Sequence, residues 1–169
     1  GLLNKASCLE AITTTKLDGK TFVVFTDLNN FKLVNDIYGH IVGDAILKRF
    51  SDSLNNNAED NFSAYRYGGD EFVVVARDSS KEQVVSFLKA VEDDFSDGAP
   101  QNIMMSFSAG AVASYGILKN PLFLIRCSDK AMYLAKKEKV PSYFLSEKEV
   151  EEVVMDEENA ASVLRLNPT

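Results

Sequence analysis

Three acidic side chains in two distant segments have the types and spacing that phosphate chemistry needs. The run Arg66-Tyr67-Gly68-Gly69-Asp70-Glu71-Phe72 delivers two adjacent carboxylates through a glycine turn onto an apolar strand, and folding asks for neither acid. Asp27 follows the apolar run Phe22-Val23-Val24-Phe25 and opens Asp27-Leu28-Asn29-Asn30-Phe31-Lys32-Leu33-Val34-Asn35-Asp36. Acids from both segments could meet around one cation. Magnesium takes a few carboxylate or carbonyl oxygens and fills its shell with water and substrate phosphate, so Asp27, the main-chain carbonyl of Leu28 and one hairpin acid would suffice. Alternation along a strand points Asp70 and Glu71 to opposite sides, which predicts that only one of them joins Asp27. The alternative for the hairpin pair is an acidic turn facing solvent.

The elements that must hold these residues follow from periodicity. Residues 3–17 read as helix. Residues 21–26 read as a strand whose unbroken apolar run is typical of one covered on both faces. That places Asp27 just past a strand end, where ligands tend to bind in open α/β sheets. A short helix over 30–38 stops at Gly39, and a longer one follows with Ile46, Leu47, Phe50 and Leu54 on one face until Asn55-Asn56-Asn57 breaks it. Residues 64–67 and 70–76 form a hairpin around Gly68-Gly69, a two-residue turn signal. A helix over 81–95, a strand over 103–114, a helix over 120–137 and a short strand Tyr143-Phe144-Leu145 after Pro141 complete the body. Alternating helices and strands with one antiparallel hairpin predict an α/β domain.

Composition narrows the function. With 169 residues, 46% of them hydrophobic, the chain can bury the core of one ordinary domain. A net charge of −7 argues against a duplex-binding surface, which needs clustered Lys and Arg. No apolar run is long enough to span a bilayer and no signal peptide opens the chain, so no direct membrane contact is expected, and any membrane anchor would lie in segments outside this sequence. Cys8 and Cys127 have no metal-ligand spacing and read as reduced core residues, which suits a cytoplasmic location. Residues 146–169 hold seven acids and two bases. They read as an acidic tail with a frayed end, or as an amphipathic helix, through Val150, Val153 and Val154, leading toward a further domain.

Residues 27–44 stand as DLNNFKLVNDIYGHIVGD and residues 66–72 as RYGGDEF. Together they resemble the GGDEF family, the diguanylate cyclases that condense two GTP molecules into cyclic di-GMP; the sole departure is Asn29, where an Asp is frequent. Gly1-Leu2-Leu3-Asn4-Lys5 and Ser128-Asp129-Lys130-Ala131-Met132-Tyr133-Leu134-Ala135-Lys136 extend the likeness over residues 1–145. The resemblance implies a central, mostly antiparallel sheet flanked by helices, similar to the palm of nucleotide cyclases and polymerases.

It also implies roles. Asp27, the Leu28 carbonyl and Asp70 would bind Mg²⁺ or Mn²⁺, and Asp70 would help deprotonate the attacking 3′-hydroxyl with Glu71 as its neighbour. Lys32 would stabilise charge on the triphosphate, or be a solvated helix lysine. Asn35 and Asp44 match the guanine-reading pair: a carboxylate suits the adjacent N1–H and N2 donors of guanine, which adenine lacks. Phe31, Gly68 and Gly69 would line the substrate site. His40 matches a position beside the nucleotide or is structural, and Lys136 matches a lysine that contacts phosphates.

Two departures bear on activity. The family's Gly-Arg-Asn is replaced by Lys139, Val140 and Pro141, so a phosphate-binding arginine is missing. Lys137 or Lys139 could substitute only as a point charge. The Arg-x-x-Asp at which product binds in many members is replaced by Glu59 and Phe62, which predicts no feedback inhibition there. Each GTP must attack the other, so a homodimer with two-fold symmetry is expected, brought together by a sensor or dimerisation domain outside this sequence. The rivals are a catalytically silent GTP-binding module that regulates an adjoining domain, and a cyclase or transferase for another nucleotide.

Overall fold

The apolar run before Asp27 is sandwiched, as its composition requires. The computed structural model describes residues 2–166; Gly1 of the opening motif and residues 167–169 of the tail lie outside them. At its centre is β1 (Phe22–Leu28), joined by β2 (Phe62–Arg66), β3 (Glu71–Ala76), β4 (Phe107–Ala113) and β5 (Ser142–Leu145). The sheet order is β2, β3, β1, β4, β5, and every pairing is antiparallel except that of β4 with β5. This is the mostly antiparallel sheet, flanked by helices, that the sequence implies.

Alternate side chains of β1 enter two cores. Val24 and Leu28 meet Ile46, Leu47, Phe50 and Leu54 of α3 (His40–Asn57) and Val84 and Val91 of α4 (Lys81–Ser96). Val34 of the short helix α2 (Phe31–Tyr38) seals that face near the site. Val23 and Phe25 meet Ile12 of α1 (Lys5–Thr13) and Leu124 and Ala131 of α5 (Phe123–Glu138). Each of the larger side chains contributes about 1.5–3 kcal/mol on full burial. Cys8 and Cys127 are unpaired thiols in the second core. Burial pushes them up to about 12 and about 11, so both stay protonated and inert at neutral pH.

The helix α5 lies directly on β4. A β-carbon at Gly110 would stand 1.9 Å from Met132 N and 2.4 Å from Ser128 O, so only glycine admits this contact. That approach brings the far end of α5 over the end of β1.

Several boundaries differ from expectation for local reasons. Helix α1 stops at Thr13 rather than at 17, because the hydroxyls of Thr13, Thr14 and Thr15 donate to the carbonyls of Glu10 and Ala11 and compete with helix continuation. Helix α3 runs through the asparagines to Asn57, whose amide donates to Ser53 O at 2.8 Å. The strand expected over 103–114 begins only at Phe107, since Gln101 and Asn102 turn the chain with φ of 53° and 58°, and Ile103 and Met105 pack as loop residues on the first core.

Residues of the acidic tail form α6 (Glu147–Leu166) rather than a frayed end. Ser146 and Glu149 cap it reciprocally, with Ser146 N donating to Glu149 at 3.0 Å and Glu149 N to Ser146 Oγ at 3.2 Å. Val150, Val153 and Val154 are buried in the second core, and Arg126 of α5 pairs with Glu157 at 2.7 Å. Among the described residues no helix is long and apolar enough to cross a membrane.

Candidate active site

The two acidic segments converge. Asp27 lies inside β1 rather than past its end, opposite Glu71 of β3 on one side and Ser108 of β4 on the other. Extra pairing extends the strand through it, and Leu28 N donates to Asp70 O at 3.3 Å, tying the strand to the glycine turn. That turn is longer than a two-residue hairpin: β2 ends at Arg66, β3 begins at Glu71, and neither Gly68 nor Gly69 has a positive φ. Tyr67 N and Gly68 N both donate to Glu71 O, at 2.9 and 3.1 Å. Arg66 closes the loop, with Nε donating to Gly68 O at 3.2 Å and Nη2 to Gly69 O at 2.8 Å.

Asp70 therefore belongs to the turn, and strand alternation does not separate it from Glu71. Both acids feel the charge of Asp27, Asp70 from the turn and Glu71 from the strand position opposite. Burial comes first in holding the Asp70 carboxyl above its usual range; next comes the hydrogen bond that a protonated Asp70 would donate to Asp27, then the charge of Asp27. Glu71 is raised by burial and then by the charges of Asp27, Asp129 and Asp70. Asp129 of α5 is raised by burial and then by Asp27. Lys136 opposes all three shifts from its ion pair with Asp27 Oδ2.

The cluster is short of positive charge, with Lys136 set against four acids. Asp27 Oδ1 is buried and has no hydrogen-bond partner, which is the state of an oxygen suited to a cation. Among the described residues no three His, Cys, Asp or Glu side chains form a metal cage by themselves. Two carboxylates and a carbonyl, completed by water and phosphate, are the share a hard divalent ion asks of a protein. The residues present fit Mg²⁺ or Mn²⁺ on those terms.

Beside the acids opens a cleft of ≈ 290 Å³. Helix α2 gives it Phe31, Lys32 and Asn35; α3 gives Asp44 and Leu47; the turn gives Arg66, Gly69 and Asp70. Asp70 thus belongs to both the cleft and the acid cluster. Among the described residues the side chains of Lys32, Asn35 and Asp44 have no hydrogen-bond or ion-pair partner, so their polar atoms are free to meet a ligand.

Of the residues singled out from sequence, Phe31, Lys32, Asn35, Asp44, Gly69 and Asp70 line the cleft, while Asp27, Leu28, Asp70 and Glu71 form the acid end. His40 is exposed at the start of α3 and is not a lining residue. Gly68 is also outside the lining, and Lys136 is engaged by Asp27. Asn29, the one departure in the long motif, is held by the sheet: Nδ2 donates to Ser106 Oγ at 2.9 Å and Oδ1 accepts from Ser108 Oγ at 3.0 Å. The sequence assigns no site role to Leu47, Arg66 or Asp129, although Leu47 lies one turn from Asp44 and Asp129 lies within the Ser128–Lys136 motif.

Comparison with known proteins gives the same assignment. Residues 1–141 match the family model described as "Diguanylate cyclase, GGDEF domain". The chain is 32% identical over 124 residues to diguanylate cyclase DosC of Escherichia coli, covering 68% of this chain and 26% of that protein. It is 30% identical over 120 residues to diguanylate cyclase DgcZ of the same organism, covering 68% and 40%. The chain thus spans less than half the length of these curated relatives. The GGDEF domain of PA1120 (TpbB or YfiN) from Pseudomonas aeruginosa superposes with a TM-score of 0.77 at 22% identity, covering 92% of this chain and 95% of that one. An EAL/GGDEF domain protein from M. capsulatus does so with a TM-score of 0.70 at 28% identity, covering 82% and 94%. The chain belongs to the GGDEF family of diguanylate cyclase domains.

Proposed function

We propose that this domain condenses two GTP molecules into cyclic di-GMP with release of pyrophosphate, as a two-fold dimer in which each copy presents one GTP. The observation that supports this best is the double membership of Asp70, which joins a cleft of guanine-compatible polar groups to a cluster of acids short of positive charge. Asp44 would accept from N1–H and the N2 amine of guanine with Asn35 beside it, and adenine, which lacks that adjacent donor pair, would leave the carboxylate unmatched. The ammonium of Lys32 would meet the triphosphate and steady the charge that grows as the phosphoryl group transfers. Asp27, Asp70 and the Leu28 carbonyl would hold Mg²⁺ or Mn²⁺, which supplies positive charge that makes the ribose hydroxyl a better nucleophile. Asp70 would also stand close enough to help take up the 3′-hydroxyl proton. Glu71 keeps the local field negative from the facing strand position.

A second reading, a silent GTP-binding module that regulates an adjoining domain, has its own support. Val140 stands where the family has an arginine, and Lys136 is already engaged by Asp27. Incubating artificially dimerised protein with GTP and Mg²⁺ separates the two: pyrophosphate and cyclic di-GMP support the enzyme, and GTP binding without product supports the module. A panel of four nucleotides tests whether GTP is the one turned over. Phe62 is a core residue, packed on Phe87 with ring centroids 5.1 Å apart, and Glu59 is exposed, so product should not inhibit through these positions.

A further inference from the structure

Asn35 and Gly43 face each other across the corner between α2 and α3. A β-carbon on Gly43 would stand 1.8 Å from Asn35 Oδ1, 2.9 Å from Asn35 Cγ and 3.4 Å from Phe31 Cζ. The carboxamide of Asn35 therefore fills the space that any other residue at 43 would claim. Backbone conformation does not explain the glycine, because Gly43 lies inside α3 and has no positive φ. Helix propensity argues against it, since glycine weakens a helix interior relative to alanine. Among the described residues no hydrogen bond holds the Asn35 carboxamide, so its orientation is left to packing. The next residue along α3 is Asp44, whose side chain lines the same cleft.

We infer that Gly43 is a positioning residue of the base-recognition subsite: its missing side chain lets Asn35 lean onto α3 beside Asp44, so that one purine base can meet both. This rests on reading the cleft as a GTP site. Gly43→Ala gives α3 a better helix former and displaces Asn35 in the same step, a combination that a merely structural glycine would not produce.

The test compares wild type, Gly43→Ala, Asn35→Ala and the double variant by thermal unfolding and by equilibrium binding of fluorescent GTP and fluorescent ITP, which lacks the 2-amino group. Gly43→Ala is expected to keep its melting temperature, bind GTP about tenfold more weakly, and lose part of the preference for GTP over ITP. In the Asn35→Ala background the same substitution should cost no further affinity, because the displaced group is already gone. If Gly43→Ala does not fold, the double variant decides: recovery of folding supports the clash with Asn35, and no recovery overturns it. Undiminished GTP binding by Gly43→Ala, or an equal further loss in the Asn35→Ala background, overturns the inference alone. A wild-type chain that binds no GTP ends the parent reading and this one with it.

Discussion

At the ends of β1 and β3, Asp27, Asp70, Glu71 and Asp129 crowd around one lysine, and three of the four are held above the usual carboxylate range by burial and by each other. Across Asp70, on α2 and α3, Lys32, Asn35 and Asp44 stand without protein partners around a cleft shaped by a missing β-carbon. The first region is tuned by charge and the second by shape. Changes in the acid cluster should therefore depend on pH and divalent ion, and changes on the α2–α3 wall should depend on which base is offered.

The largest expected effect is at the shared residue. Asp70→Ala should lower product formation by about a hundredfold or more, while fluorescent GTP still binds in metal-free buffer; equal turnover would dissolve the link between the two regions. Next, Asp44→Ala should weaken GTP by about tenfold to a hundredfold and narrow its margin over ATP, read by titrating both nucleotides. Lys32→Ala should lower turnover about tenfold with base preference unchanged, which places it on the phosphate side of the comparison.

The smallest effect is on stability. A carboxyl whose folded pKa is raised binds its proton more tightly folded than unfolded. The repulsion it reports is thus absent below the ordinary carboxylate value of about 4 and grows as pH rises through the raised folded values. Asp70→Asn removes one of these charges. Its melting temperature at pH 7 should exceed that of wild type by about 2 °C, and the gain should vanish on acidification below the carboxylate range. A gain that persists in acid would mean the charge account is wrong. Mg²⁺ should raise the melting temperature of wild type and leave Asp27→Asn unmoved, since the orphaned oxygen belongs to Asp27.

Sequence periodicity carried most of the architecture, because burial and period are linked residue by residue. Ile46, Leu47, Phe50 and Leu54 face one core as their spacing requires, and Phe22-Val23-Val24-Phe25 feeds two. Tertiary closure was not legible in the same way. Gly-Gly signals a turn but not its length, so the pattern puts Asp70 on a strand, whereas Arg66 and two amides hold it in a loop. Val150, Val153 and Val154 carry the right spacing for α6, but whether a core awaits them depends on α5, twelve or more residues earlier in the chain. The contact between Gly43 and Asn35 joins two helices around a corner, and no pattern along the chain announces it.

Gly110 has a reach beyond the sheet. Ser128, Met132 and Lys136 follow at intervals of four along α5, so the backbone stretch seated on Gly110 and the ammonium at Asp27 ride on one stripe of one helix. A methyl group added at the middle of β4 would lift that stripe like a shim under a lever and draw the lysine off its carboxylate. Charge balance at the acids is thereby set partly by a residue that bears no charge and touches none of them.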